Sequence, residues 1–225
     1  MTHFYIFGDS ITQGAWDNFG GWVQRIRRVL DEHFVSRDIP RFLTVNIGGT
    51  GHTSVRLLDV FEKEMSIQPE VSSETLILFS IGLSDSRIHR DSGQCEVPLE
   101  TFKQNIIQLG VKAAQYTQHY AFVGLTPIVE AEVNPLPWDK AHCYDLQTVQ
   151  SYNKALQETC AAHDMGFVDV WQDWQEEDYA DWLFDGLHPN AIGHQKIARR
   201  VLHDFLTPKG WSVAPQEQGG YITAE

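Results

Sequence analysis

The sequence predicts an α/β fold in which helices cover both faces of a central five-stranded parallel sheet. Five short apolar runs have the length of buried strands, and each is followed by turn residues. Segments with apolar residues at intervals of three and four lie between these runs, as in amphipathic helices. Strands that alternate with helices of this length require crossover connections, which favour a parallel sheet covered on both faces.

Each strand prediction comes from one apolar run, and each helix prediction from one periodic set of apolar residues. In chain order the strands are predicted at residues 4–7, 42–47, 75–81, 120–125 and 167–170. The helices between and after them are predicted from Trp22, Ile26, Val29 and Leu30, then Val55, Leu58, Phe61 and Met65, then Phe102, Ile106 and Leu109, then Tyr152 and Leu156, and finally Ile197, Val201 and Phe205 after Pro189.

The chain length favours a single domain, because 225 residues can bury one sizeable core. We expect this domain to span residues 1–207. The segment 208–225 contains prolines and glycines and has no apolar periodicity. We therefore expect an irregular C-terminal tail that wraps the surface or frays.

Composition disfavours several classes of partner. Lys and Arg number 17 against 30 Asp and Glu, so the formal net charge is −13, which disfavours binding to nucleic acid or to an anionic membrane surface. We identify no signal peptide and no apolar stretch long enough for a membrane helix. The cysteines Cys95, Cys143 and Cys160 are too few and too scattered for a disulfide framework. We expect a cytoplasmic location, and the sequence makes no prediction of oligomeric state.

The predicted topology indicates where a functional site should lie. Ligands of parallel α/β sheets bind beyond the carboxyl ends of the strands. The segments that follow the predicted strands are 8–14, 48–53, 82–86 and the chain from 126 onward, together with the segment that precedes the last helix. Polar side chains in these segments are therefore candidates for chemistry.

Two of these segments together contain the residue types of a serine nucleophile and its base. Ser10 follows Gly8 and Asp9 at the end of the first strand, and Asp185 precedes His188 by three residues ahead of the last helix. A serine nucleophile needs an imidazole to take its proton, and that imidazole needs an acceptor on Nδ1. Each segment also has a structural interpretation on its own, as a helix cap around Ser10 and as an Asp-Gly turn with a surface histidine.

The combination resembles the SGNH/GDSL hydrolase family, whose first block is Gly-Asp-Ser and whose last block is Asp-x-x-His before the final helix. The intermediate blocks resemble residues 46–54 and 81–86, so the similarity extends from about Phe4 to Phe205. The resemblance implies a three-layer α/β/α, flavodoxin-like sandwich. It also implies that Ser10 is the nucleophile, His188 the general base and then acid, and Asp185 the carboxylate that orients the imidazole.

The resemblance further implies an oxyanion hole formed by the backbone N–H of Ser10, the backbone N–H of Gly51 and a side chain at position 84. Gly48 and Gly49 remain alternatives to Gly51, which is favoured because the residues just after it open the next helix. The family places Asn at the third position, whereas this chain has Ser84. Because the serine hydroxyl reaches less far than the asparagine amide and donates one hydrogen bond, we expect a hydrolase with weakened activity or a narrowed range of substrates.

Other conspicuous residues have interpretations of their own. We expect the aromatic residues of the acidic segment 170–184 to pack into the core, with stacking on a substrate as the alternative. The long loop 126–144, which contains Trp138, is predicted to form a pocket wall. We expect Asp9 and Asp85 to support their own loops. Eight histidines lack the paired spacing of zinc sites and are interpreted as scattered surface or loop residues: His3, His52, His89, His119, His142, His163, His194 and His203.

Three hypotheses of function follow from these features. The leading one is an esterase or acylhydrolase that cleaves short acyl or acetyl esters of small molecules through an acyl-enzyme, with no metal and no other cofactor. The second is a catalytically weak or silent protein of the same fold that binds carbohydrates or other small molecules, motivated by Ser84 and the aromatic segment. The third is a metal-dependent phosphoesterase with Asp9, Asp85, Asp185 and His188 as ligands.

Overall fold

The computed structural model describes residues 1–36, 41–67, 74–175 and 178–209. The strands of its main sheet are β1 (Thr2–Gly8), β2 (Phe42–Gly48), β3 (Thr75–Ser80), β5 (Tyr120–Val123) and β7 (Gly166–Val168). They are arranged in the order β2-β1-β3-β5-β7, and all four strand pairs are parallel. The prediction of a five-stranded parallel sheet is therefore confirmed, and the strand order is that of a flavodoxin-like fold.

The central strands are buried on both faces. The four residues from Phe4 to Phe7 in β1 are each at most 1% exposed, and the four from Leu76 to Phe79 in β3 are all fully buried. Such strands have no polar face, which is why their sequences read as continuous apolar runs rather than as alternating ones. Three predicted strands extend past the observed ends of β3, β5 and β7, because residues such as Ile81, Leu125 and Val170 stay buried after strand pairing stops.

Helices cover the sheet from two sides, as the sequence predicts. The helices are α1 (Ser10–Gln13), α2 (Gly21–Val35), α3 (Ser54–Ile67), α4 (Leu99–Ala113), α5 (Glu130–Val133), α6 (Leu146–Ala162), α7 (Trp171–Gln175) and α8 (Ala191–Val201), with a 3₁₀ turn at Tyr179–Trp182. Helix α2 packs against α8, whereas α3 contacts α4 and α4 contacts α6.

Two further helical turns continue α8 toward the C-terminus. A π-helical turn at Leu202–Leu206 and a 3₁₀ turn at Thr207–Lys209 continue it, and Phe205 is buried in the π-helical turn. The predicted irregular tail begins at residue 208, but Pro208 and Lys209 still belong to this helical end. Residues 210–225 of the predicted tail lie outside the described residues. None of the helices among the described residues has the length and apolar character needed to span a bilayer.

A second, small sheet was not predicted. Strands β4 (Ile88–His89) and β6 (His142–Cys143) pair antiparallel, with Ile88 opposite Cys143 and His89 opposite His142. They belong to the two excursions that follow β3 and β5. Strands of two residues have no periodicity that a sequence pattern could reveal.

The strand register places three loops at one edge of the main sheet. Gly8 at the end of β1 lies opposite Gly48 of β2 on one side and opposite Ser80 of β3 on the other. Since the three strands end level with one another, the residues that follow them meet at the same edge. The β1/β3 boundary is the topological switch point, which is where ligands of this fold class bind.

Candidate active site

Ser10 is positioned by the tight turn between β1 and α1. The Asp9 carboxylate caps α1 by accepting a hydrogen bond from the backbone N–H of Ile11 at 3.0 Å. A Cβ atom on Gly8 would lie 2.1 Å from Thr12 Oγ1 and 2.4 Å from the carbonyl oxygen of Ser80. Only glycine therefore allows α1 to approach the strand ends this closely, and Ser10 comes two residues after the strand contact.

His188 is positioned by a turn built around Asp185. Asp185 Oδ1 accepts hydrogen bonds from the backbone N–H groups of Leu187 at 3.1 Å and His188 at 2.8 Å. Gly186, which follows Asp185 in this turn, has a φ of +79°, and a Cβ there would lie 2.6 Å from Glu132 Cβ. Because glycine alone tolerates both the left-handed backbone conformation and the crowding at this position, a glycine follows Asp185 in the sequence. Asn190 then caps α8, accepting from the backbone N–H of Ile192 at 2.9 Å.

The two turns bring Ser10, His188 and Asp185 into one hydrogen-bonded line. Ser10 Oγ lies 3.0 Å from His188 Nε2, and His188 Nδ1 lies 2.8 Å from Asp185 Oδ2. A carboxylate acceptor on Nδ1 holds the ring proton there, which leaves Nε2 free to accept the serine proton. Ser10 and His188 are each only 8% exposed, so the line is largely shielded from water.

Asp185 remains ionised at neutral pH. Burial opposes its ionisation, but hydrogen bonds from the side chain and the backbone of His188 outweigh burial and hold the pKa of this carboxyl below its ordinary value. An ionised Asp185 can stabilise the imidazolium that forms when His188 takes a proton.

The other predicted site residues lie in loops at the same edge of the sheet. Gly51 has a φ of +70°, and apart from its two chain neighbours no atom of the described residues lies within 4 Å of where its Cβ would be, so that side of Gly51 is open. Ser84 follows β3 and is 8% exposed. Across the described parts of the chain, the Ser84 hydroxyl has no hydrogen-bond partner within the protein, which leaves it free to donate to a ligand.

Two exposed tryptophans flank the imidazole of His188. The Trp16 and Trp138 ring centroids lie 6.2 Å and 6.1 Å from that of His188. Trp138 belongs to the loop 126–144 that was predicted to form a wall, and the backbone N–H of Val129 ties this loop to the carbonyl oxygen of Gly186 at 2.9 Å. Trp16 was missed, because no sequence pattern indicates that the chain after α1 brings it beside His188.

The aromatic segment after β7 is mainly core. Trp171, Trp174 and Trp182 are buried, so the prediction of core packing is confirmed for these three residues. Phe184 is the exception, because it is 64% exposed and its backbone N–H donates to the carbonyl oxygen of His188 at 2.8 Å.

Comparisons with known proteins identify the family. Residues 6–196 match the model of the GDSL-like lipase/acylhydrolase family. The chain belongs to this family. The GDSL-like hydrolase is therefore a carboxylic ester hydrolase, and its resemblance to the SGNH/GDSL family is confirmed.

Individual relatives of this GDSL-like hydrolase agree with that assignment. A GDSL esterase/lipase of Oryza sativa subsp. japonica is 25% identical over 236 residues, which covers 96% of this chain and 84% of the relative. The solved structure of a lipase/acylhydrolase from Enterococcus faecalis is similar with a TM-score of 0.72 and 18% identity, covering 92% of this chain and 97% of that one. The solved structure of an acetylxylan esterase from Geobacillus stearothermophilus is similar with a TM-score of 0.70 and 18% identity, covering 91% of this chain and 94% of that one. At these identities the two structures show the fold alone.

Three of the histidines interpreted as scattered surface or loop residues are placed differently in the GDSL-like hydrolase. His194 is completely buried, and burial lowers its pKa to about 4, so it is a neutral core residue. His89 and His142 lie side by side, with His89 Nδ1 3.0 Å from His142 Nε2. Their positions in sequence are 53 residues apart, so no local spacing could have indicated the contact.

The buried carboxylates Asp9 and Asp85 support loops of the GDSL-like hydrolase, as expected. Asp85 accepts hydrogen bonds from the backbone N–H of Ser54 at 3.0 Å and from the Ser54 hydroxyl, which in turn accepts from Asn105 Nδ2 at 2.8 Å. These contacts tie the loop after β3 to the start of α3. Burial raises the pKa of Asp9 to about 6 and that of Asp85 to about 7.

We expect Asp85→Asn to flatten part of the pH dependence of folding stability. A carboxyl whose pKa is raised in the folded state stabilises the fold at low pH, and this contribution is lost as the pH rises from about 4 to about 7. The raised pKa corresponds to roughly 4 kcal/mol. Denaturant unfolding at several pH values should show wild type losing stability relative to Asp85→Asn over this range. If the stabilities of wild type and Asp85→Asn changed in parallel with pH, the raised pKa of Asp85 would be contradicted. Asp59→Asn, which replaces an exposed carboxyl on α3, is the control.

Proposed function

We propose that this chain hydrolyses esters of acetate and other short acyl groups through a covalent acyl-enzyme on Ser10. The observation that carries the proposal is the hydrogen-bonded line from Ser10 Oγ through His188 to Asp185. Each distance is within the range for proton transfer between a nucleophile, its base and the orienting carboxylate.

The proposed reaction proceeds in two halves. His188 Nε2 takes the proton of Ser10 as Oγ attacks the ester carbonyl carbon, and the resulting imidazolium then protonates the departing alcohol oxygen. A water molecule next attacks the acyl-enzyme while His188 takes its proton and returns it to Ser10 Oγ. The products are the free acid and the alcohol, and the ionised Asp185 stabilises the imidazolium in both halves.

The oxyanion of the tetrahedral intermediate is proposed to receive hydrogen bonds from three groups. The first is the backbone N–H of Ser10, which as the first residue of α1 has no acceptor within its helix. The second is the N–H of Gly51. Its alternatives already have acceptors, because the N–H of Gly48 donates to Asn46 Oδ1 at 2.9 Å and that of Gly49 to the carbonyl oxygen of Gly8 at 3.1 Å. The third is the hydroxyl of Ser84.

The surroundings of the hydrogen-bonded residues Ser10, His188 and Asp185 favour an ester with a small acyl group and a flat alcohol component. Ser10 and His188 are nearly covered, which leaves little room for a long acyl chain beside the nucleophile. Trp16 and Trp138 are 64% and 54% exposed, so they can contact the alcohol part outside the covered zone. Indole faces pack well against flat apolar surfaces such as those of a sugar or aryl ring.

Two other hypotheses receive less support. A protein that only binds its ligand would not need Ser10, His188 and Asp185 in this line. A metal-dependent phosphoesterase would need Asp9 and Asp85 as ligands, but these carboxylates accept hydrogen bonds from Ile11 and Ser54.

The experiment that tests the proposal compares initial rates on the acetate, butyrate and octanoate esters of one alcohol in the presence of EDTA. We expect the acetate and butyrate to react faster than the octanoate, with a kcat that the chelator does not change. Folded protein that turns over none of these esters would overturn the proposal.

The same ester panel measures the contribution of position 84. An Asn at this position extends an amide donor toward the oxyanion, and one such donor is worth about 100- to 1000-fold in kcat. We expect Ser84→Asn to raise kcat on at least one ester, by up to this factor. No gain on any ester would show that Ser84 is already competent or plays no role, and Ser66→Asn on the surface of α3 is the control.

A further inference from the structure

A second group of chemically reactive side chains lies outside the triad, on the small β4–β6 sheet. It consists of His89, Glu96 and His142, here called the His–Glu–His cluster. One nitrogen or oxygen atom from each residue lies within 4.8 Å of the other two, which makes these residues a candidate metal-binding group among the described parts of the chain. His89 and His142 are opposite each other across the strand pair, and an isolated bridge between Ile88 and Cys95 brings Glu96 beside them.

The contacts of the cluster favour an additional cation. Asp139 Oδ2 lies 2.6 Å from His142 Nδ1, and His142 Nε2 lies 3.0 Å from His89 Nδ1, both at hydrogen-bond distance. Two neutral imidazoles carry two ring hydrogens, which these two hydrogen bonds use. His89 Nε2 then faces Glu96 Oε2 at 3.3 Å with no hydrogen between them, an arrangement of two electron-pair donors that a bound cation stabilises.

The groups around the cluster are suited to a metal ion. Asp139 accepts the Nδ1 proton of His142, and a carboxylate behind a histidine in this way fixes the tautomer whose Nε2 can bind a metal. His142 is also the better covered of the two imidazoles, with 16% of its side chain exposed. Arg87 donates to Glu96 Oε2 at 2.7 Å, which holds the carboxylate in place while its other oxygen can bind an ion.

We propose that the His–Glu–His cluster is a Zn²⁺ site. The ligands are Nε2 of His142, one ring nitrogen of His89 and a carboxylate oxygen of Glu96, with water in the fourth position. Two imidazoles and one carboxylate are a ligand set that zinc accepts, whereas Mg²⁺ and Ca²⁺ prefer oxygen ligands alone. Glu96 and Asp139 carry two negative charges, one of which Arg87 already offsets, so the cluster offsets part of the charge of the ion.

The position of the site gives the ion a structural consequence. His89 and Glu96 belong to the excursion between β3 and α4, and His142 belongs to the excursion between β5 and α6. A bound ion would add to the contacts that already join these two segments, which are the β4–β6 pairing and hydrogen bonds from Arg90 to the carbonyl oxygens of Lys140 and Ala141. Binding to the folded state alone also raises the melting temperature by mass action.

The test is a Zn²⁺ titration of untagged protein in competition with a chromophoric chelator. We expect one ion per chain, an increase in Tm on zinc addition, and no competition from Mg²⁺. His142→Ala should abolish this binding. Asp139→Asn, which removes no ligand, should weaken it about 10- to 100-fold, because a group that orients a ligand has an effect of that size. His119→Ala is the control, since His119 is exposed and precedes β5 at the opposite edge of the sheet.

The outcomes separate the proposal from its alternatives. Binding that is lost in His142→Ala, weakened in Asp139→Asn and unchanged in His119→Ala supports the site. Absence of zinc binding, or binding that all three variants retain, overturns it. If His142→Ala does not fold, Glu96→Gln and Asp139→Asn decide the question by the same titration. Ser10→Ala should bind zinc like wild type, so this result is independent of the proposed hydrolysis.

Discussion

Replacing Ser10 with Ala lowers kcat on a short-chain ester by about a million-fold, the loss typical of an enzyme deprived of its nucleophile. The hydroxyl is the atom that attacks, and its 3.0 Å contact with His188 Nε2 provides the path by which its proton leaves. Removing one oxygen atom opens little space in the turn after β1, so the fold and the affinity for the ester should be kept. Initial rates at saturating ester, together with a thermal melt, measure both effects.

The matched control is Ser66→Ala, which removes a surface hydroxyl from α3 and should leave kcat unchanged. The hydroxyl of Ser66 donates to the carbonyl oxygen of Lys63 within the same helix, at 2.7 Å. A Ser10→Ala protein that retained kcat within about tenfold of wild type could not work through an acyl-enzyme on this residue.

Asp185→Asn is expected to lower kcat about 10,000-fold with little change in folding stability. The side-chain oxygen of Asn can still accept from the backbone N–H groups of Leu187 and His188. Its amide group then faces His188 Nδ1 as a donor, where Asp185 Oδ2 now accepts at 2.8 Å. His188 must therefore carry its proton on Nε2, where it can no longer accept the proton of Ser10.

The control for this charge change is Asp181→Asn, an exposed position in the nearby 3₁₀ turn. It should retain wild-type kcat. A similar loss in both variants would indicate a general effect of charge on this acidic protein, and a loss of less than about tenfold in Asp185→Asn would contradict the orienting role.

Features that depend on local pattern could be predicted from the sequence. The central strands β1 and β3 are buried on both faces and appear as continuous apolar runs, and the helices between the strands have clear periodicity. Ser10 could be predicted because its motif directly follows the first strand, and Asp185 and His188 because their motif directly precedes the last helix. The turn around Gly186 was predictable for the same reason, since Asp-Gly is a local signal.

Features that depend on contacts between distant segments were not predictable. His89 and His142 meet only because two loop excursions form a strand pair of two residues. His194 is completely buried; its spacing of three residues from Ile197 is that of the apolar face of α8, but its polar side chain led to the surface interpretation. Trp16 lies beside His188 because the chain between α1 and α2 folds back over the site. No pattern in the neighbouring residues indicates this path.

Covalent labelling with a fluorophosphonate, located by peptide mass spectrometry, tests the central role of Ser10 most directly. The account predicts one adduct per chain, on Ser10, formed rapidly in wild type, slowly in Asp185→Asn and not at all in Ser10→Ala. A folded, ester-hydrolysing protein that formed no adduct, or carried it on another residue, would contradict the account.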